Sequence, residues 1–254
     1  VIFCFSGTGN SLQVAENLSK IRGDQIVSIG DSIKNSKTNF DVADDEMVGI
    51  ICPVYFYGLP LPVEEFINNM SFNGKTPSVF LVLTFGTFTG NTGRQASKLI
   101  AKRGFSLDNI FSVPMPENYI PLLKVPEKEK REHLIETVEY RVIVIANLLE
   151  SNKNKDYDDH KGRFPTIVSF FSRPLYTYGR KTKKFHVTSK CTGCGECSNI
   201  CPDDAIEIID NKPVWMKKDC YRCLACVNRC PTEAIEIGRS TVNKERYVNP
   251  TIKF

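Results

Sequence analysis

Four short apolar runs punctuate the first 150 residues: Val1 to Phe5, Met47 to Cys52, Ser78 to Phe85 and Asn109 to Val113. None alternates between apolar and polar positions, which is the pattern of parallel strands covered on both faces. Gln25 to Ile29 supplies a weaker fifth strand. Between the runs, apolar residues recur at helical spacing: Val14, Leu18 and Ile21; Val63, Phe66, Ile67 and Met70; Ala96, Leu99 and Ile100; then Ile135, Val138, Val142, Ile145 and Leu149. Strand and helix in alternation predict an α/β domain with a doubly wound parallel five-stranded sheet over residues 1–150. The stretch from Asp31 to Glu46 is polar and acidic where a second crossover helix belongs, so a short or irregular connection is expected there.

Beyond Glu150 the pattern changes. Residues 151–185 read as a linker, polar at first and then aromatic and basic, with Phe164, Phe170, Phe171, Tyr176, Tyr178 and Phe185. Pro165 and Pro174 are expected to prevent one uninterrupted helix. The aromatics are expected to fill a groove between two domains, the alternative being an amphipathic anchor on a membrane surface. Residues 186–238 form a second, small α+β domain with an internal repeat. Pro202-x-x-Ala205-Ile206-Glu207-Ile208 recurs as Pro231-x-x-Ala234-Ile235-Glu236-Ile237, and Asp210-Asn211 predicts a hairpin back toward Pro213, Val214 and Trp215. Residues 239–254 remain as a C-terminal tail.

Composition adds boundaries to this picture. The apolar fraction of 41% is ordinary for a soluble chain. Its most extended apolar stretch, Met47 to Leu59, is interrupted by Gly49, Pro53 and Gly58 and falls short of the roughly 18 residues a membrane span needs. Val1 to Phe5 lacks a basic start and a cleavage signal, so it reads as a strand and not as a secretory peptide. Ten cysteines without an export signal point to a reducing, cytoplasmic setting in which thiolates bind metal. The net charge of +4 is unevenly placed: −3 over residues 1–150, +6 over 151–185, −2 over 186–238 and +3 over the tail. An electrostatic strap between two acidic domains is the expected use of the basic segment, with docking to an acidic protein or membrane surface as the alternative. No nucleic-acid partner is expected, and membrane association is not the favoured reading.

The chemistry lies in the cysteines. Cys191-x2-Cys194-x2-Cys197-x3-Cys201-Pro202 is repeated as Cys220-x2-Cys223-x2-Cys226-x3-Cys230-Pro231, each cysteine 29 residues from its counterpart. This is the spacing of a bacterial ferredoxin with two [4Fe-4S] clusters, in which the fourth cysteine of each run ligates the other cluster. Cys191, Cys194, Cys197 and Cys230 are therefore assigned to the first cluster, and Cys220, Cys223, Cys226 and Cys201 to the second. Zinc sites use cysteine pairs separated by longer loops, which these runs do not supply. The halves differ in one respect: Gly193 and Gly195 of the first run become Arg222 and Leu224 in the second, so the two clusters need not be equivalent. Cys4 and Cys52 are read as inert buried thiols.

A second cofactor is suggested by the loop Ser6-Gly7-Thr8-Gly9-Asn10-Ser11, which joins the first strand directly to a helix. Its amides, hydroxyls and helix dipole suit a terminal phosphate, while the lysine of a nucleotide-triphosphate loop and the third glycine of a dinucleotide fingerprint are missing. The loop resembles the phosphate loop of flavodoxins, a family with strand order 2-1-3-4-5 that binds FMN where the order reverses. That resemblance implies that Pro53, Val54, Tyr55, Phe56, Tyr57 and Gly58 after the third strand, and Thr84, Phe85, Gly86, Thr87 and Gly90 after the fourth, hold the flavin ring. Met115 to Tyr119 would form a rim. The three histidines, His133, His160 and His186, are placed away from these loops.

From residue 1 to about 238 the chain resembles the flavodoxin and ferredoxin fusion proteins of anaerobic bacteria and archaea. The resemblance implies an electron-transfer iron-sulfur flavoprotein that relays single electrons between two [4Fe-4S] clusters and FMN, with a ferredoxin or an oxidoreductase as redox partner. The alternative is an FMN-dependent reductase whose own ferredoxin domain feeds electrons to a small-molecule acceptor.

Overall fold

The computed structural model describes every residue except Asp44, Asp45 and Asn152. Its first part follows the expected alternation: β1 (Ile2–Cys4), α1 (Asn10–Arg22), β2 (Ile26–Ser28), α2 (Ile29–Lys34), β3 (Val48–Pro53), α3 (Leu61–Asn69), β4 (Ser78–Phe85), α4 (Thr92–Lys102), β5 (Ser106–Pro114) and α5 (Lys128–Glu150). The parallel sheet runs β2-β1-β3-β4-β5 and then gains a sixth strand, β6 (Lys155–Asp156), paired to Asn109 and Ile110 of β5. The expected five strands are thus one too few. Two charged residues carry no apolar signal, and the added strand comes from the segment read as linker.

Successive strand residues point to opposite faces, and each face is covered. Phe3, Ile50, Leu81 and Leu83 meet Val63, Phe66 and Ile67 of α3 and Ala96 and Ile100 of α4 on one side. Ile2, Cys4, Ile51 and Val82 meet Val14, Ala15 and Leu18 of α1 and Val138, Val142 and Ile145 of α5 on the other. Strands buried on both faces have no solvent side to leave polar, which is why their sequences do not alternate. The segment from Asp31 to Glu46 begins with the end of the single-turn-scale helix α2, capped by the Ser28 hydroxyl accepting from the Asp31 amide at 3.1 Å. Beyond it Asn39 forms one bridge to Ser71, and Asp44 and Asp45 of the same stretch lie outside the described residues.

The second part comprises α6 (Pro165–Gly179), β7 (Phe185–Val187), α7 (Glu196–Asn199), β8 (Ile206–Ile209), β9 (Lys212–Trp215), α8 (Ala225–Asn228) and β10 (Ile235–Ile237). The predicted hairpin is present as β8 against β9, while β10 finds its antiparallel partner in β7, upstream of the cysteines. Contrary to expectation, α6 is one helix. Pro165 occupies its first turn, where a missing N–H costs nothing, and Pro174 removes a single bond from a helix held by other contacts.

Those contacts come from the polar side of α6. Ser169 Oγ donates to the Tyr57 carbonyl at 2.7 Å and accepts from the Asn91 amide at 2.8 Å. Arg173 donates to the Leu59 carbonyl at 2.6 Å and pairs with Glu64. Tyr176, only 1% exposed, accepts from the Leu61 amide at 3.3 Å and donates to the Tyr221 carbonyl at 2.9 Å. Just past the helix, Arg180 exchanges bonds with the Cys220 backbone. The strap is therefore real, but hydrogen bonds to backbone outnumber its ion pairs. The expectation for the aromatics fails: Tyr176 and Phe185 are buried, whereas Phe164, Phe170, Phe171 and Tyr178 are exposed. The inward side of the helix is committed to polar ties, so its aromatic side faces solvent.

The C-terminal tail packs back on the first domain. Tyr247, Asn249 and Ile252 are buried against the first helix and its loop. Tyr247 donates to Asn10 Oδ1 at 2.7 Å, Asn249 Nδ2 donates to Gln13 Oε1 at 2.8 Å, and the Asn249 amide donates to the Thr8 carbonyl at 2.8 Å. Lys244 reaches the Ile120 carbonyl at 2.6 Å. Polar pins of this kind leave no hydrophobic periodicity in sequence.

Tyr176→Phe keeps the ring and deletes the hydroxyl that serves both domains. Stability in urea should fall by about 2 kcal/mol, because a buried carbonyl and a buried amide each lose a partner. An unchanged midpoint would show that the hydroxyl does not hold the two parts together.

Candidate functional site

A cavity of about 320 Å³ opens at the carboxyl ends of β3, β4 and β5, where loops of a doubly wound sheet gather. Pro53, Val54, Tyr55, Phe56 and Tyr57 form one wall, and Thr84, Phe85, Gly86, Thr87 and Phe88 a second. Met115 to Tyr119, with Leu122 and Leu123, form a third, so the expected rim is part of the lining. Asn10 contributes the edge nearest the phosphate-type loop. Ser6, Gly7, Thr8, Gly9, Ser11, Gly58 and Gly90 do not line this cavity. Gly58 instead gives Arg173 and Gln95 room, and Gly90 does the same for Tyr57 and Ser169.

The aromatic wall is preorganised. Phe56 lies parallel to Tyr176 with centroids 5.7 Å apart, and Tyr119 and Tyr55 meet this pair edge-on. Burial pushes the Tyr55 and Tyr176 phenols well above their usual range, so both stay neutral and act as hydrogen-bonding, apolar surfaces. One carboxylate interrupts the apolar lining: Glu117 Oε1 accepts from the amides of Asn118 at 3.0 Å and Tyr119 at 2.9 Å. Gly86 is required beside it, since a Cβ there would lie in contact with Glu117 Oε2. His160, expected to be remote, packs at a tilt against Phe85 with centroids 4.8 Å apart and bonds Ser112 Oγ at 2.9 Å. It stands behind the second wall, brought there by the loop after β6.

The loop from Ser6 to Ser11, the expected phosphate cradle, is packed against Asn249 and Ile252 at Gly9 and against the Cys223 carbonyl at Gly7. Gly7, Thr8, Asn10 and Ser11 are buried, and their amides pair with no acceptor among the described residues. Only the Gly9 amide is used, by Ser6 Oγ at 3.1 Å. Buried orphan amides at the start of α1 call for an anion. The surrounding side chains hold the loop in place: Asn118 donates to Thr8 Oγ1 at 2.6 Å, Asn10 to the Pro116 carbonyl at 3.0 Å, and Ser11 Oγ pairs with Thr84 Oγ1 at 2.7 Å.

The expected quartets each line one small cavity, although among the described residues no three Cys, His, Asp or Glu side chains are drawn together as a metal site. One cavity is ringed by Cys191, Cys194, Cys197 and Cys230, the other by Cys201, Cys220, Cys223 and Cys226. Each crossing cysteine accepts from a backbone amide four residues on, Cys201 from Ala205 at 3.4 Å and Cys230 from Ala234 at 3.3 Å. Burial pushes the Cys197 and Cys220 thiols up to about 11 and Cys223 to about 12. Iron binding must displace those protons, so loading strengthens as pH rises. Cys4 and Cys52 are buried in the sheet and their thiols are likewise raised by burial, which fits inert packing.

The two sites meet. Arg222, Cys223 and Leu224 line the cavity between the sheet loops, together with Ser172, Leu175 and Tyr176 of α6. A Cβ on Gly7 would stand 2.6 Å from the Cys223 carbonyl, so the absence of a side chain allows the second cysteine run to rest on the loop after β1. Arg222 and Leu224 adopt φ of 57° and 60°, close to the 75° and 80° of Gly193 and Gly195 in the first run. The left-handed backbone of the repeat is kept at a cost of roughly 1–2 kcal/mol per side chain. Both residues line the cavity, and the Arg222 guanidinium lies over Phe185 at 5.4 Å. Sequence comparison of the halves exposed this difference but not its address, because no local pattern says which loops of another domain a residue will touch.

Among the described residues, no helix is long and apolar enough to cross a membrane. No curated protein matches the chain. Among solved structures the chain is similar to the Trp repressor binding protein from Bacillus subtilis, at 12% identity over 55% of this chain and 96% of that one, with a TM-score of 0.34. It is similar to azoreductase AzrA at 12% identity, over 58% and 100% of the two chains, with a TM-score of 0.36. An azoreductase from Bacillus anthracis str. Sterne gives 12% identity, 58% and 99% coverage and a TM-score of 0.34. Residues 183–231 match the family model described as a 4Fe-4S dicluster domain, a span that takes in all eight cysteines of the two runs. This part of the chain is a 4Fe-4S ferredoxin-like domain.

Proposed function

We propose that the chain is an electron-transfer iron-sulfur flavoprotein that relays single electrons between two [4Fe-4S] clusters and FMN. The observation that carries this reading is Cys223, which belongs to the second cysteine quartet and at the same time lines the cavity between the sheet loops. A cluster ligand in the wall of a cofactor cavity leaves no intervening group to cross. FMN would supply the capacity to hold one or two electrons, and so to join one-electron and two-electron partners.

The residues divide the work of binding. The orphan amides from Gly7 to Ser11 would receive the phosphate, and the Tyr55, Phe56, Phe85 and Tyr119 surfaces would take the ring. The second cluster is then proximal to the flavin and the first distal. Cys194, the one exposed member of its quartet, marks the surface where an external redox protein would reach the first cluster. Arg222 lines both the second quartet's cavity and the larger one, and its cation would favour the more negative, reduced state of whichever cofactor it faces. The chain would act where a ferredoxin or an oxidoreductase supplies its electrons, with the cytoplasm as the expected setting. A reductase acting on a small acceptor is the second reading, and Glu117 favours it as the one carboxylate among the described residues of the cavity lining.

Anaerobic isolation should yield about eight iron atoms and about one FMN per chain. Cys201→Ser should lose the iron of the second quartet and keep that of the first, although the residue lies in the first run. Loss of the first cluster alone would refute the crossed assignment.

Arg222→Gly restores the glycine of the first run and relieves the left-handed backbone, so stability should stay within about 1 kcal/mol of the parent. With the cation gone, a redox titration should find the flavin or the second cluster at a lower potential. A higher potential, or none moved, would remove Arg222 from this role.

A further inference from the structure

Helix α6 is built inside out. Its inward side is Ser169, Arg173 and Tyr176, all engaged in the ties between the two domains. Its outward side carries Ile167, Val168, Phe171, Leu175 and Tyr178. Ile167, Phe171 and Leu175 lie four apart, and Val168, Phe171, Leu175 and Tyr178 three or four apart, so they form one stripe, and Phe164 precedes it at the N-cap. All six are exposed, Phe171 at 69% and Tyr178 at 76%. A contiguous apolar surface of this kind is rare on a monomeric soluble protein unless it meets something.

The charges around the stripe indicate what it meets. Between Asp159 and Glu196 the chain contains no acidic residue. Within this segment Lys161 pairs with Asp156 and Arg173 with Glu64. Arg163 before the helix, and Lys181, Lys183 and Lys184 after it, are exposed and form no ion pair among the described residues. Arg94 and Lys98 of α4 line the groove beside Phe170 and Tyr178. Protein interfaces are depleted in lysine, whereas helices that lie in a membrane interface combine Phe and Leu on one side with Lys and Arg around it. A surface that is anionic throughout accounts for both the free cations and the missing carboxylates.

We propose that α6 lies in the plane of an anionic lipid surface, with Phe164, Ile167, Val168, Phe171, Leu175 and Tyr178 among the acyl chains and the flanking cations on the headgroups. Leu175 also belongs to the lining of the cofactor cavity, beside the exposed Phe88, Leu122 and Leu123. The apolar stripe therefore continues to the cavity mouth, which docking would bring to the lipid. This inference does not depend on the identity of the bound flavin.

The test is sedimentation of the intact, iron-loaded chain with vesicles of phosphatidylcholine alone or mixed with phosphatidylglycerol. The parent should bind the mixed vesicles in a salt-sensitive manner and the neutral ones much more weakly. Ile167→Asn combined with Phe171→Ser should reduce binding by about tenfold or more through lost apolar burial. Lys181→Gln combined with Lys183→Gln should reduce it by about tenfold on anionic vesicles only. All four positions are exposed, and unchanged iron content would show that the variants are folded. Equal binding to both vesicle types, no binding to either, or variants that bind like the parent would overturn the proposal. So would a dimer that the Ile167 and Phe171 changes dissociate without any vesicle binding, which would assign the stripe to a second copy of the chain.

Discussion

The buried hydroxyl of Tyr176 is the point on which the two halves of the molecule are assembled. It takes the Leu61 amide from the sheet domain and gives its proton to the Tyr221 carbonyl, two residues before Cys223. Its ring is the partner on which Phe56 stacks. Position and function are linked here: the residue that builds the aromatic wall also fixes the backbone of the second cysteine run against it. A hydroxyl with both its donor and acceptor roles used inside protein is costly to misplace, so the spacing between ferredoxin-like domain and cavity is defined and not left to a linker. The tail repeats the device from the opposite side, with Tyr247 and Asn249 joined to Asn10 and Gln13.

Within this frame the cysteine repeat is symmetrical in ligation and unsymmetrical in surroundings. The first run keeps Gly193 and Gly195, and none of its quartet lines the cavity, with Cys194 exposed. The second run keeps the same backbone but places Arg222 and Leu224 on it, at the cavity. The duplicated motif thus has one run with an exposed cysteine and one run in the cavity wall. Gly7 completes the arrangement, since only a residue without a side chain lets the Cys223 carbonyl come so close.

Much of this was legible in the sequence wherever a short-range pattern carried it. Buried parallel strands show as unbroken apolar runs, and all five expected strands are present near their expected positions. The expected cysteine quartets come from spacing alone, and the loops after β3 and β4 line a cavity at the strand ends. What was not legible depends on contacts distant in sequence. Strand β6 is two charged residues paired to β5; α6 reverses the usual placement of polar and apolar sides; the tail acts through isolated polar side chains; His160 reaches Phe85 only because the chain turns after β6. Strand β6, the tail and His160 leave no periodicity to read, and the stripe on α6 gives no sign of which side faces inward.

The central claim is that the second quartet, and not the first, is wired to the flavin cavity. Rapid-mixing spectroscopy of two variants tests it directly: Cys194→Ser, which removes the first cluster, and Cys226→Ser, which removes the second without altering a residue of the cavity lining. Reduced clusters should still pass electrons to the flavin in Cys194→Ser and should fail to do so in Cys226→Ser. Transfer retained in Cys226→Ser and lost in Cys194→Ser would contradict the account.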